Sequence, residues 1–159
     1  MPAAAEIVPV YYQSEFCHGV DSAWRVQFPA KWRQKDRVQT FNLLLWTEDS
    51  EGRDPDKRLC LMGLPPERWL ALVAKVDAMK LSDPEALALR RLVGRSSFSV
   101  SLDGAGRINL SEPLARAVGI EEQAMFVGMV TVFQIWNPER YRRVKPMDTQ
   151  MGPLVYSKL

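Results

Sequence analysis

Alternation of apolar and polar side chains predicts eight short strands, at residues 15–20, 25–28, 41–46 and 59–62, then at 96–102, 107–110, 125–130 and 132–136. Between the two sets the period lengthens. From Pro66, the residues Trp69, Leu70, Leu72, Val73, Val76 and Met79 mark one face of a helix. Ser82-Asp-Pro-Glu85 breaks it and supplies a fresh N-terminus, and Leu87, Leu89, Leu92 and Val93 carry a second helix to Gly94. Shorter helical stretches are expected at 29–37 and 111–118. The latter has Ser111 as N-cap, Pro113 in its first turn and Gly119 at its end.

The two sets of strands are copies of one unit. Val20-Asp-Ser-Ala-Trp-Arg25-Val-Gln-Phe-Pro29 aligns with Leu102-Asp-Gly-Ala-Gly-Arg107-Ile-Asn-Leu-Ser111, and Leu64-Pro-Pro-Glu-Arg-Trp69 aligns with Trp136-Asn-Pro-Glu-Arg-Tyr141. The first pair is offset by 82 positions and the second by 72, so the first copy carries about ten extra residues. The polar segment 47–58, with almost nothing to bury, is where they fit. Each copy reads strand–turn–strand–helix–strand–strand–helix, with one extra helix as a bridge. The division is 15–69 for the first repeat, 70–95 for the bridge and 96–143 for the second repeat.

Composition adds bounds. A chain of 159 residues, 47% apolar and 25% charged, is an ordinary globular protein of one compact domain or two small ones. Its net charge of +2 announces no polyanion partner, so charge has to be judged locally. Cys17 and Cys60 are too few for a disulfide framework and have no CxxC spacing, which suits a reduced cytoplasmic chain. The longest apolar run, 125–136, is too short to span a membrane, and residues 1–6 lack the pattern of a signal peptide.

Catalytic chemistry finds little to stand on, and the expectation is a protein that is not an enzyme. His18 is the only histidine, and on a strand it points away from its neighbour Cys17, so the two cannot readily share a metal or a nucleophilic site. Gly104-Ala-Gly106 lacks the third glycine and the Lys-Ser/Thr of a phosphate loop and is followed by a strand. Both glycines are expected to supply positive φ in a hairpin turn.

The Asp-xxx-Arg pairs say more. In Asp21 to Arg25 and in Asp103 to Arg107, the Asp suits a turn start and the Arg either staples that Asp or reaches outward to phosphate or guanine. The two roles are compatible. Arg25, Lys31, Arg33, Lys35 and Arg37 face only Asp21 and Asp36, with Trp24 and Trp32 interleaved, Trp32 being the more natural core anchor. The matching stretch of the second copy is balanced, so a DNA face would lean on the first half. Arg140, Arg142, Arg143 and Lys145 form another cluster, fitted either to the C-terminal end of the last helix or to a subunit contact.

Asp103-Gly-Ala-Gly-Arg107-Ile-Asn-Leu-Ser-Glu-Pro-Leu-Ala-Arg116-Ala-Val-Gly-Ile120 is similar to the Asp-x-x-Gly-Arg-x-x-Ile-Pro-x-x-Leu-Arg-x-x-Leu-Gly-Ile pattern of AbrB-like DNA-binding domains. Two such units joined by a helical bridge resemble the MraZ family of regulators, associated with the bacterial division and cell-wall gene cluster. The resemblance covers about residues 15–143. It implies an α+β fold in which two tandem swapped-hairpin βα units form an intrachain pseudo-dimeric barrel. It also implies a ring-like homo-oligomer binding short repeats in double-stranded promoter DNA, usually as a repressor, at the nucleoid in the cytoplasm. Asp21, Arg25, Asp103, Gly104, Gly106 and Arg107 then form the turn motifs, and Arg25, Lys31, Arg33, Lys35, Arg107 and Arg116 are the candidate DNA-binding residues. No cofactor, metal, membrane or small-molecule substrate is implied. The first copy departs from the pattern at Trp24, which stands in place of the turn glycine, and in the second copy Ser111 replaces the proline. A structural oligomer of the same fold without DNA binding is the rival reading.

Overall fold

A computed structural model describes residues 10–48 and 59–159. Eight strands form: β1 (Glu15–Gly19), β2 (Arg25–Gln27), β3 (Thr40–Thr47), β4 (Leu59–Leu64), β5 (Ser97–Ser101), β6 (Arg107–Asn109), β7 (Gln123–Met129) and β8 (Val132–Trp136). Four helices accompany them: α1 (Pro66–Asp77), α2 (Pro84–Arg95), α3 (Glu112–Ala117) and α4 (Pro138–Tyr156). All eight strands lie within one to two residues of the alternation pattern. The fold is mixed α+β.

The six longer-range strands build one sheet in the order β1-β7-β8-β4-β3-β5, and β2 pairs with β6 in a separate ribbon. Every pairing is antiparallel. Four of the pairings, β1 with β7, β3 with β5, β4 with β8 and β2 with β6, join one sequence repeat to the other. Exchanging each strand for its counterpart in the other repeat leaves the sheet order unchanged. The sheet is open, with β1 and β5 as its edges, so the ladder does not close into the expected barrel. β2 and β6 stand apart as their own two-stranded ribbon, reached from the end of β1 by a single isolated bridge, Val20 with Val26, so no continuous ladder joins β1 to β5.

Alternate residues of the strands converge on an aromatic core. Phe28, Phe126 and Phe133 have no solvent exposure and Trp32 only 2%. Phe28 stacks at 5.1 Å from Phe41 and 5.4 Å from Phe133, and Tyr12 meets Trp32 edge-on at 5.4 Å. The indole N–H of Trp32 donates to the Gln13 carbonyl at 3.0 Å, so its one polar atom is satisfied. On the far side of the sheet, Cys60, Trp136, Tyr141 and Val144 form one cluster, and Leu44, Met62 and Leu64 form another beneath Trp69 and Leu72 of α1.

Several local expectations give way to tertiary contacts. Residues 29–37 form no α-helix, only one 3-10 turn at Ala30–Trp32. The buried Gln39 is the reason: its amide donates to the Trp32 carbonyl (3.0 Å) and accepts from the Gln34 N–H (2.7 Å), removing groups a helix would need. Gly94 does not end α2, which continues to Arg95. Ser111 makes no side-chain cap to α3; its own N–H is taken by the Asn109 side chain at 2.9 Å. Gly119 does end that segment, with φ of +74°. On α1, Trp69, Leu72 and Val76 turn inward, but Leu70 and Val73 stay exposed.

α4 is far longer than the pattern suggested, running through Pro146 and Pro153. Arg140, Arg142, Arg143 and Lys145 therefore lie in its first half, which overturns the first of their two readings, the C-terminal end of the last helix. Asn137 caps the helix by accepting from the N–H groups of Glu139 (2.8 Å) and Arg140 (3.1 Å). Tyr141 and Lys145 both donate to Glu15, tying α4 to β1. Among the described residues no helix is long and apolar enough to cross a membrane. Of the polar segment 47–58, Thr47 ends β3 opposite Leu59; residues 49–58 lie outside the described residues, as do residues 1–6.

Candidate nucleic-acid interface

The β2–β6 ribbon sets the geometry. Arg25 pairs with Asn109, Val26 with Ile108 and Gln27 with Arg107. Because side chains alternate across a strand, Val26 and Ile108 enter the core, each 1% exposed. Arg25, Gln27, Arg107 and Asn109 share the opposite face. Two arginines and two amides thus stand side by side, contributed equally by the two repeats.

Each arginine is held by its own turn. The Asp21 carboxylate accepts the N–H groups of Ala23 and Arg25, both at 2.9 Å, through Oδ1, and the Arg25 Nε at 2.9 Å through Oδ2. Asp103 does the same for Ala105 and Arg107, with the Arg107 Nε at 3.0 Å. The staple uses Nε alone. The Nη groups of both arginines have no partner among the described residues and remain available to an acceptor.

The turns are braced by the opposite repeat. Gln27 Nε2 donates to the carbonyls of Ala105 (3.0 Å) and Gly106 (3.3 Å), and Asn109 Nδ2 donates to the Ala23 carbonyl at 3.1 Å. The backbone adds Phe28 N–H to Gly106 (2.9 Å) and Leu110 N–H to Trp24 (2.8 Å). Gln27 and Asn109 were not singled out from the sequence. The signal was present, since the repeat alignment sets amide against amide at these positions. The two turns are one interlocked unit.

The basic run after β2 lies elsewhere than sequence order suggests. A cleft of about 630 Å³ is lined by Arg33, Lys35 and Arg37 together with Asp103, Gly104 and Gly106, so the first-half cations sit beside the second-half turn. Gly106 has φ of +77°, and a Cβ built there would lie 2.1 Å from Arg33 Nη1, so this position admits only glycine while Arg33 crosses it. Gly104 has no positive φ, contrary to expectation. Lys31 and Lys35 are exposed. Arg116 approaches the first turn reciprocally: its guanidinium lies 5.4 Å from the centroid of the Trp24 ring and is held by Glu112 at 2.8 Å. Trp24 occupies the counterpart position of Gly106 with φ of +61°.

Hydrogen bonding fixes the charge states around the ribbon. Asp21 and Asp103 are held below the usual carboxylate range, chiefly by the N–H groups of Arg25 and Arg107, with the guanidiniums and the Ala23 and Ala105 N–H groups adding to it. Glu15 is lowered by Lys145 and then Tyr141. His18 is lowered mainly by burial and secondarily by the charge of Arg33. For the carboxylates a depressed folded pKa means full stability above their ordinary values of 3.8 and 4.5, lost as pH falls through the folded pKa. For His18 the unfolded chain takes up its proton first, so stability starts to fall as pH drops below its ordinary 6.5. The melting temperature should therefore be level between about pH 7 and 8, decline gently below about 6.5 and fall steeply below about 4. Above about pH 9 it should fall again, because burial raises the Cys60 thiol and the Tyr12 and Tyr141 hydroxyls. His18→Gln should remove the first decline when melting is followed by calorimetry. A melting temperature that rises between pH 7 and 5 would contradict this account.

Cys17 is exposed and His18 half-buried with their side chains on opposite faces of β1. Among the described residues no three His, Cys, Asp or Glu side chains are grouped to hold a metal.

Comparison with known proteins gives a consistent pattern. The family model described as "MraZ protein, putative antitoxin-like" matches residues 95–151. The chain is 31% identical to the transcriptional regulator MraZ of Thermomicrobium roseum over 148 residues, covering 93% of this chain and 96% of that protein. The regulator of the same name from Lactiplantibacillus plantarum is 31% identical over 129 residues, 81% of this chain and 84% of its own. That of Methylobacillus flagellatus is 32% identical over 123 residues, 77% of this chain and 78% of its own.

Proposed function

The chain belongs to the MraZ family, and from that membership we propose that it is a cytoplasmic, nucleoid-associated transcriptional regulator that binds promoter DNA sequence-specifically. The observation that carries the reading is the β2–β6 face, where Arg25 and Arg107 are fixed through Nε and keep their Nη groups for an external acceptor. A rigid guanidinium with two free nitrogens suits a phosphate or the O6/N7 edge of guanine, and a two-stranded ribbon fits a major groove. Lys31, Arg33, Lys35 and Arg116 flank the ribbon and supply phosphate contacts. The outcome is repression of the division and cell-wall gene cluster.

In this reading residues 15–69 and 96–143 are two AbrB-like units that exchange hairpins as an intrachain pseudo-dimer, joined by the bridge at 70–95. The strand order supports it, because every ribbon and edge pairing crosses between repeats. Purified protein should shift duplex DNA from the promoter upstream of its own gene, carrying closely spaced short repeats, well below the concentration that shifts a scrambled duplex. Equal affinity for both at moderate salt would leave only non-specific binding and end the proposal.

One ribbon places few cations on DNA, so assembly over several repeats is part of the proposal. Unpartnered apolar side chains support assembly: Leu70 on α1 is 65% exposed, and Leu154 and Tyr156 on α4 are 66% and 73% exposed. Light scattering should give a mass several times the 18.1 kDa of one chain. A monomer at micromolar concentration would overturn the oligomer.

A further inference from the structure

We propose that Trp24 is a specificity-determining residue that makes the two turns of the ribbon unequal, so that the chain reads its DNA site in one orientation. The inference rests on the DNA-binding reading above and concerns how that site discriminates.

The ribbon is close to two-fold symmetric in its backbone. Turn hydrogen bonds, Asp–Arg staples and amide braces all occur in matched pairs. A reader with two identical ends binds a site and its reversed copy equally well, and discrimination of direction needs a difference between the ends. The largest difference on this face is at positions 24 and 106. At the second turn Gly106 leaves its side-chain space to Arg33, whose guanidinium lies against the turn backbone. At the first turn that space holds an indole, and a cation of the second repeat, Arg116, stands over the ring. The indole therefore sets one flanking guanidinium at a ring face, where the second turn sets its own against backbone. It also leaves a half-buried aromatic surface directly beside Arg25, suited to the apolar parts of a base or sugar, such as a thymine methyl group.

The turn does not need this indole. Gly106 makes the same turn with φ of +77°, whereas Trp24 is held at +61°, a region bulky aromatics adopt only when the surroundings enforce it. The enforcement is visible: the Trp24 N–H donates to the Asp21 carbonyl at 3.0 Å, and its own carbonyl accepts from Leu110 at 2.8 Å. Glu112 then fixes Arg116 over the ring through Nε at 2.9 Å. A bulky residue at positive φ with a cation held over its ring, at one turn only, is the mark of a surface feature the fold itself could do without.

The test is selection from a random-sequence duplex pool, with sequencing of the bound DNA, for the wild type, Trp24→Gly, Trp24→Tyr and Arg25→Ala, each verified as folded by its melting curve. The wild type should select a motif with unlike arms. Trp24→Gly should give arms that resemble each other, and preference for the wild-type site over its arm-swapped copy should fall about tenfold. Trp24→Tyr keeps a ring for Arg116 and should retain the wild-type motif. An unchanged motif for Trp24→Gly, with the motif lost in Arg25→Ala, would overturn the role of Trp24 and leave the DNA reading standing. Failure of Trp24→Tyr to retain the motif at a wild-type melting temperature would also overturn it. A wild type that selects no motif, or an Arg25→Ala that selects the wild-type one, would remove the DNA reading and this inference with it.

Discussion

Arg25→Ala is expected to weaken binding to promoter DNA by about 1–3 kcal/mol per site while the fold survives. The separation is possible because the side chain does two jobs with different atoms. Its Nε closes the Asp21 staple at 2.9 Å, and its Nη groups have no partner among the described residues. A staple between two groups exposed by 42% and 38% is screened by water, so its loss costs little stability. The backbone bonds from Ala23 and Arg25 to Asp21 remain after the substitution. In an assembly bound to several repeats the per-site loss multiplies, and specific binding should vanish from a mobility-shift assay. Arg25→Lys should behave similarly, since an ammonium reproduces neither the staple nor a two-pronged contact. Lys35→Ala is the control: a phosphate contact there lowers the log–log salt slope by about one without changing sequence preference. Arg107 has the same staple, 3.0 Å against 2.9 Å, so Arg107→Ala should cost no more stability than Arg25→Ala. Wild-type binding by Arg25→Ala would show that the ribbon is not the reading element.

Trp32→Ala should act in the opposite way, costing about 3–5 kcal/mol of folding stability, a large share of the roughly 5–15 kcal/mol typical of a domain. Trp32 is 2% exposed and touches the rings of Tyr12, Phe16, Phe28, Phe126 and Phe133 at centroid distances of 5.4 to 6.2 Å. Truncation empties the middle of that cluster and leaves the Gln13 carbonyl without its donor. Thermal melting should show a drop of roughly 10 °C or more. DNA binding should fall only as the folded fraction falls, and at low temperature it should approach the wild-type value. Trp32→Phe should recover much of the loss. A variant that melts normally but no longer binds DNA would move Trp32 from the core to the interface.

The sequence by itself determined the elements and the chemistry that depends on near neighbours. Strand positions were legible because alternation marks the half-buried strands, while the continuous apolar run of β4 marks one covered on both faces. The Asp-xxx-Arg staples and the stop at Gly119 were legible because they form within one turn of chain. The tertiary structure alone decided what meets what. Residues 29–37 were read as a helix because no local signal reveals that the Gln39 side chain will take the backbone groups of Trp32 and Gln34. The first-half cations were expected beside the first turn. The ribbon crosses the two repeats, so Arg33 lies on Gly106 and Arg116 on Trp24. A barrel was expected, but β2 and β6 form a ribbon of their own and leave β1 and β5 as open edges. Periodicity fixes which side of an element faces inward, but pairing between distant strands is chosen by long-range competition for the same hydrogen bonds. Burial was therefore readable residue by residue, and the partners across the two repeats were not.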